Sequence, residues 1–333
     1  MKRRDLLRSS VSVAAGLALG KRASALYPRQ PASSPAPVKP IPIIDAHIHL
    51  FDPSRPGGVP WPEKDDMVLY KPALPSRYSA MVEGLGVVGA IAIEASPLLS
   101  DNDWLLGIAQ ANPIMVGIIG DLVPSDTDFS KQLVKLHANP LFLGIRYGNL
   151  WKRDLTADIR KPGFAEGLKR LSEAGLVFES ANPDLNLVRG IVQVADHYPN
   201  LRIVIDHLPH APVPEDAAER KEYWALLSRL GKNRNVFAKL SEIPVVAEGR
   251  VIIAPSYYRP GLDRLWGIFG EDKVIFGSDW PNGDHVAGFS QTLEIVRAYA
   301  ATKSETAQQK YFWKNSAAAY KWAARLPDQP SIS

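Results

Sequence analysis

The chain has 333 residues, 46% of them hydrophobic and 22% charged, a composition that excludes wholesale disorder and collagen-like repeats. It contains no cysteine, so disulfides, thiolate metal sites, iron–sulfur clusters and cysteine nucleophiles are ruled out. The formal charge of +4 gathers at the start, where Lys2, Arg3, Arg4, Arg8, Lys21 and Arg22 face only Asp5; setting these seven aside from 39 basic and 35 acidic residues leaves 33 and 34. A body so nearly neutral gives no electrostatic reason to bind nucleic acid or an anionic membrane.

Residues 1–25 read as an address. Arg3-Arg4-Asp5-Leu6-Leu7 gives a charged start, a small apolar run follows over 11–19, and Ala23-Ser24-Ala25 offers an A-x-A cleavage site. These are the parts of a secretory signal. The arginine pair resembles a twin-arginine signal, which implies export of a folded bacterial protein to the periplasm. The apolar run is too short to span a bilayer. No later segment is apolar for long enough either, so no membrane span is expected after signal removal. The Pro- and Ser-rich stretch 26–42 predicts an extended linker. A folded domain is expected over 43–325, with a short tail at 326–333.

From residue 43 short apolar runs alternate with helical patterns. Strands are predicted over 43–51, 87–95, 115–122, 141–147, 176–180, 202–207, 236–241 and 274–279. Helices are predicted over 103–111, 128–137, 164–174, 185–198, 217–230, 261–269, 286–300 and 307–324. Most strand runs are apolar on both faces, as in a parallel sheet covered by helices. Eight strand–helix alternations in about 290 residues predict an α/β fold of the (β/α)₈ TIM-barrel class. A doubly wound open sheet is the alternative, but no G-x-G-x-x-G stands at the first strand–helix turn.

Barrel enzymes carry their chemistry at the C-terminal ends of the strands. The first strand ends Asp45-Ala46-His47-Ile48-His49. Alternation places Asp45, His47 and His49 on one face, where two imidazoles can reach one metal ion or donate to one substrate oxygen. The sixth ends Ile205-Asp206-His207. A register through Ile203 and Ile205 turns His207 inward and leaves Asp206 as a structural partner behind the barrel. The eighth ends Gly277-Ser278-Asp279, with Gly277 and Asp279 sharing the inner face. A carboxylate there is costly to bury unpaired; it fits a metal ligand, a general base or a partner to a histidine.

Arg146, ending the fourth strand, offers a planar fork for a carboxylate or lactone oxygen, or an internal salt bridge. With Arg146, Tyr147 is assigned to substrate binding. Glu94, Asp121, Glu179 and Glu242 also lie near strand ends and can pair with Arg146 or Lys239. Glu94 is the best extra candidate among them, because it interrupts an otherwise apolar strand. His210 and His285 fall on loops beyond strand ends, as rim residues, while His137 and His197 fall near helix ends at the surface. The Pro-rich loop 51–62 after the first strand, with Trp61 as an apolar face, reads as a wall or lid.

Taken together, Asp45-Ala46-His47-Ile48-His49-Leu50-Phe51-Asp52, Val59-Pro60-Trp61-Pro62, Gly144-Ile145-Arg146, Val204-Ile205-Asp206-His207-Leu208, Ala238-Lys239-Leu240-Ser241 and Phe276-Gly277-Ser278-Asp279-Trp280-Pro281 resemble the amidohydrolase-related barrels. More narrowly, they resemble the branch of sugar-acid lactonases and 2-pyrone-4,6-dicarboxylate lactonase. The resemblance spans residues 43 to about 325. It implies a hydrolase of the metal-dependent-hydrolase type acting on a lactone or related ester. In that reading His47, His49 and His207 position or polarise the carbonyl, Asp279 accepts a proton from the attacking water, and Arg146 holds a substrate carboxylate or hydroxyls. One departure matters. Metal-rich amidohydrolases carry a histidine or carbamylated lysine on the fourth and fifth strands, whereas the fifth strand here reads Val177-Phe178-Glu179-Ser180. A binuclear centre is therefore not expected. His47, His49, His207 and Asp279 can hold one divalent ion, Zn²⁺ in the first instance, with an open position, or work without metal through electrostatics. Related barrels with this His/Asp set also perform non-oxidative decarboxylation, which is the alternative reaction. A periplasmic solute-binding protein on a catalytically dead barrel is the alternative of another class. The expected partner is a small-molecule lactone or carboxylic acid.

Overall fold

The computed structural model describes residues 40–331. The signal and most of the linker assigned from sequence, residues 1–39, lie outside them. Eight parallel strands run in the order β1 (Ile43–His49), β2 (Val87–Ile93), β3 (Met115–Gly120), β4 (Phe142–Arg146), β5 (Val177–Ser180), β6 (Arg202–Ile205), β7 (Val236–Leu240) and, after a small antiparallel hairpin of β8 (Val246–Ala247) and β9 (Arg250–Val251), β10 (Val274–Phe276). Each barrel strand pairs with its sequence neighbour. The ring closes where β1 meets the segment after β10: His49 N donates to Trp280 O at 2.7 Å, and Asp279 N donates to His47 O at 2.9 Å. The fold is a (β/α)₈ barrel, as the alternation predicts.

Two apolar layers follow from the two-residue period of the strands. Ile43, Ala90, Ile118, Ile145, Phe178, Ile203, Ile205 and Ala238 face the helices. Ile44, Ile91, Ile93, Val116, Ile119, Leu143, Val177, Val204, Phe237 and Ile275 fill the barrel. Trp313, Ala317, Tyr320 and Trp322 join this inner layer and close the end at which the strands begin. There Arg202, opening β6, donates to Ala319 O, and Asn315 donates to the carbonyl of Val274, opening β10. Within the tail assigned to 326–333, Gln329 is part of this closure: it is buried and donates to Val88 O and Pro113 O. Among the described residues this end is plugged, and a cavity opens at the mouth formed by the C-terminal ends of the strands.

Predicted strands hold to within a few residues. The helix Pro75–Val82, with Pro75 at its first position, the short helix Leu155–Asp158 and the hairpin are additions. The final helical stretch contains a π-helical turn over Lys310–Lys314. No described helix is long and apolar enough to cross a membrane.

Two registers differ from simple alternation. The β1–β2 pairing slips between Asp45 and Ile48, a bulge that inserts one residue and changes which side chains face inward. Asp45 therefore leaves the face of His47 and His49, and its carboxylate accepts from Tyr78 Oη at 2.9 Å and Ser278 N at 2.8 Å. On β6 the inner register runs through Val204 to Asp206, not through Ile203 and Ile205. His207 nevertheless reaches the mouth because its backbone is left-handed, φ 52°. Glu242 and Asp279 share that conformation, at φ 52° and 63°. It is uncommon for residues other than glycine and concentrates at functional sites.

Candidate active site

At the mouth the ring nitrogens of three histidines surround one carboxylate oxygen. Asp279 Oδ1 lies 3.4 Å from His47 Nε2, 3.3 Å from His49 Nε2 and 3.8 Å from His207 Nε2. The two nitrogens of the H-x-H pair are 3.3 Å apart. This convergence depends on β1 and β10 lying unusually close. A Cβ on Gly277 would stand 2.7 Å from His47 Cβ, so only glycine admits the approach.

Each group is steered from behind. His49 Nδ1 faces the Ile93 carbonyl at 3.2 Å. His207 Nδ1 faces Ser241 Oγ at 3.0 Å. Asn282 Nδ2 donates to Asp279 Oδ2 at 2.7 Å. Burial holds the His47 and His207 imidazoles well below the ordinary histidine range, so both are neutral at pH 7. Burial would raise the Asp279 carboxyl, but His207, His49 and the Asn282 amide outweigh it and hold the group below the ordinary carboxylate range. Neutral imidazoles beside an ionised carboxylate are the protonation state in which such residues accept a metal ion.

Above them opens a cavity of about 570 Å³, large enough for a small-molecule ring. Of the residues assigned to substrate binding, Trp61, Glu94, Arg146 and His210 line it. Trp61 also packs edge-on against His49, ring centroids 5.5 Å apart. Tyr147 does not line it. Its ring faces the helix layer among Phe164 and Phe178, and its hydroxyl donates to Asp158, since the residue after the inward Arg146 must turn outward. His285 stands apart as well, paired with Asp66 at 2.9 Å.

Arg146 reaches the cavity and is also ion-paired inside the barrel. Its guanidinium borders the cavity, while Nε lies 3.2 Å from Asp206 and Nη1 3.6 Å from Glu94. Asp206 is thus an interior residue, not a partner behind the barrel. Asn149, Trp151, Asn182, Glu242 and Asn282 complete the polar lining. Sequence reasoning left the amides and Trp151 unassigned because they stand on loops without a strand register. Trp151 Nε1 donates to Glu94 Oε2 at 3.2 Å.

A second polar cluster lies one layer deeper. Lys239 Nζ is 2.7 Å from Glu179 Oε1, 3.2 Å from Asp206 Oδ1 and 3.0 Å from His47 Nδ1. Glu179 also accepts from Tyr320 Oη at 2.7 Å. Lys239, Glu179, Asp206 and His47 are all fully buried. Burial, then the charge of Asp206, pushes Glu179 up to about 7. The sequence signal for this cluster is a single charged residue inside each of two apolar strands, β5 and β7.

The amidohydrolase family's sequence model matches residues 44–322. The chain belongs to the amidohydrolase family. This amidohydrolase is 28% identical over 243 residues to an L-fucono-1,5-lactonase of Burkholderia ambifaria, a match covering 72% of this chain and 80% of the relative. It is 24% identical over 286 residues to an L-fucono-1,5-lactonase of Burkholderia multivorans, covering 83% and 94%. In fold it is similar to the crystal structure of a Burkholderia multivorans amidohydrolase with bound zinc, at a TM-score of 0.73 and 19% identity, covering 85% of this chain and all of the other. Family and curated relatives make this amidohydrolase a hydrolase. Its own donor set fits a divalent ion: the ligand atoms of His47, His207 and Asp279 lie within 4.8 Å of one another. Nitrogen and carboxylate ligands of this kind suit Zn²⁺.

Proposed function

We propose that the protein opens the lactone ring of a small hydroxylated or carboxylated acid by attack of water on the ring carbonyl. The observation that carries this reading is the convergence of three imidazoles on one oxygen of Asp279 at the floor of the cavity. Ester hydrolysis needs a group that takes a proton from water as it attacks and donors that meet the negative charge forming on the carbonyl oxygen. Asp279 is ionised and stands at the mouth, so it takes the proton from water and returns it to the ring oxygen as the ring C–O bond breaks. Being more acidic than an ordinary carboxylate, it is a modest base, and proton removal must run together with stabilisation of the oxyanion. The imidazoles and the Arg146 guanidinium provide that stabilisation in a site largely shielded from water. A divalent ion held by the histidines and Asp279 would, when bound, add Lewis-acid polarisation of the same oxygen.

The walls suit a ring bearing hydroxyls. Glu94, Glu242 and three asparagine amides offer acceptors and donors, and Trp61 and Trp151 offer flat apolar faces. The names of the curated relatives, both sugar-acid lactonases, support the same substrate class. A panel of aldonolactones and pyrone-type lactones, scored by proton release, tests the proposal. At least one is expected to open far faster than its spontaneous rate, and a panel without turnover would overturn it.

A further inference from the structure

The second nitrogen of a metal-bound histidine ordinarily donates its proton to a carboxylate, carbonyl or water. His49 follows that rule through the Ile93 carbonyl. His47 does not. The group nearest its Nδ1 is the Lys239 ammonium at 3.0 Å, with Asp206 at 3.5 Å and Glu179 at 3.8 Å beyond it. An ammonium has three donors and no acceptor. Around Lys239 Nζ there are three acceptor atoms, Glu179 Oε1, Asp206 Oδ1 and His47 Nδ1. Lys239 Nζ hydrogen-bonds to Glu179 Oε1 and to His47 Nδ1, whereas Asp206 Oδ1 accepts no hydrogen bond; the contact with His47 requires a lone pair on His47 Nδ1. A neutral imidazole carries one ring proton, so that proton is on Nε2.

We propose that Lys239 is a positioning residue that fixes the tautomer of His47, placing its proton on Nε2 so that in the metal-free protein His47 enters the cavity as a hydrogen-bond donor and binds an ion only after giving up that proton. The same three acceptor atoms, those of His47, Glu179 and Asp206, lie close enough together to hold a cation. The ammonium fills that place, an internal charge where a second ion would otherwise fit. At the mouth the Nε2 proton faces His49 Nε2 at 3.3 Å, with Asp279 Oδ1 3.4 Å from the same nitrogen. It remains available to a carbonyl oxygen that becomes negative. An ion held at the mouth by His47, His207 and Asp279 requires that proton to leave Nε2. The proposal rests on the lactone-hydrolase reading only for what this proton does in the reaction.

The tautomer is read from two-bond proton–nitrogen correlations on ¹⁵N-histidine-labelled apoprotein, with the His47 signals among the seven histidines assigned by comparison with His47→Gln. In the wild type His47 is expected in the Nε2–H form. In Lys239→Met, Nδ1 is left facing carboxylates and the ring is expected to switch to the Nδ1–H form. Zn²⁺ affinity, measured by competition with a chromophoric chelator, should then rise about ten- to a hundredfold, the usual scale of outer-shell effects on metal sites. Lys239→Met leaves the buried Glu179 carboxylate without its cation while Asp206 keeps Arg146, so Lys239→Met/Glu179→Gln, which removes that charge, is measured beside it. An Nδ1–H ring in the wild type, or an unchanged tautomer in a folded variant, would overturn the proposal. The spectrum needs no substrate: a protein inert to every lactone but with His47 in the Nε2–H form would retire the lactonase reading and keep this one. An active lactonase with His47 in the Nδ1–H form would do the reverse.

Discussion

His47 and Asp279 are joined twice, once through the backbone and once through their side chains. The Asp279 N–H donates to the His47 carbonyl at 2.9 Å, and the Asp279 carboxylate stands 3.4 Å from His47 Nε2. The first contact closes the barrel and the second builds the site. Barrel closure and site assembly are therefore one structural event, and its weak point is the glycine that lets the two strands meet.

Gly277→Ala tests that coupling. The new methyl would sit 2.7 Å from His47 Cβ and 3.3 Å from the His47 backbone nitrogen. Overpacking of this kind costs about 1–3 kcal/mol. The variant is expected to fold with a lowered Tm and to lose at least tenfold in kcat/KM, because His47 is pushed away from Asp279. A thermal melt and steady-state kinetics check this, and full activity at unchanged Tm would contradict it.

Trp151 donates its indole proton to Glu94 at the cavity wall. Trp151→Phe keeps most of the apolar face and removes one hydrogen bond, worth about 0.5–1.5 kcal/mol net. Glu94 is then free to turn. KM for the best lactone should rise about two- to tenfold with kcat little changed, since the contact belongs to binding and not to the reacting carbonyl.

Glu242 lies 3.6 Å from both His207 Nδ1 and His210 Nε2. Burial, then the Asp279 charge, pushes its carboxyl up to about 8 from an ordinary 4.5. Between those values the folded protein holds a proton that the unfolded chain has released, so folding takes up protons and stability falls as pH rises through that window. Tm measured from pH 5 to pH 8 is expected to fall, and to fall less steeply in Glu242→Gln. Equal slopes in the two proteins would show that this carboxyl ionises at its ordinary value in the fold.

The barrel was legible in the sequence because its strands are apolar on both faces and its helices fill regular gaps. The histidines and Asp279 were legible because polar residues at the ends of apolar strands stand out. What failed was strict alternation where the backbone departs from a regular strand. The bulge between Asp45 and Ile48 removed Asp45 from the face of the histidines. The left-handed turn at His207 allowed Asp206 and His207 both to face inward, where alternation permits one. Tyr147 was misassigned for the opposite reason: alternation there is regular, and an inward Arg146 turns its neighbour outward. The Lys239 cluster carried a readable signal in its lone charges within apolar strands. The Glu179–Lys239 pair was among the pairings the strand ends allowed; the part played by His47 was out of reach, because the contact of β5 and β7 with β1 exists only in the closed ring.

The most direct measurement is hydrolysis of the best lactone by wild type and Asp279→Asn, followed by proton release, with metal content determined on the same samples. The asparagine keeps the shape and the Asn282 contact but cannot take the proton from water. The account predicts a folded variant with kcat lowered about 10²–10⁴-fold, the usual contribution of a general base. Metal content separates the two roles of Asp279: lost rate with retained metal identifies a base, and lost rate with lost metal identifies a ligand. Hydrolysis by the variant at near the wild-type rate would show that Asp279 does not handle the proton and would contradict the account.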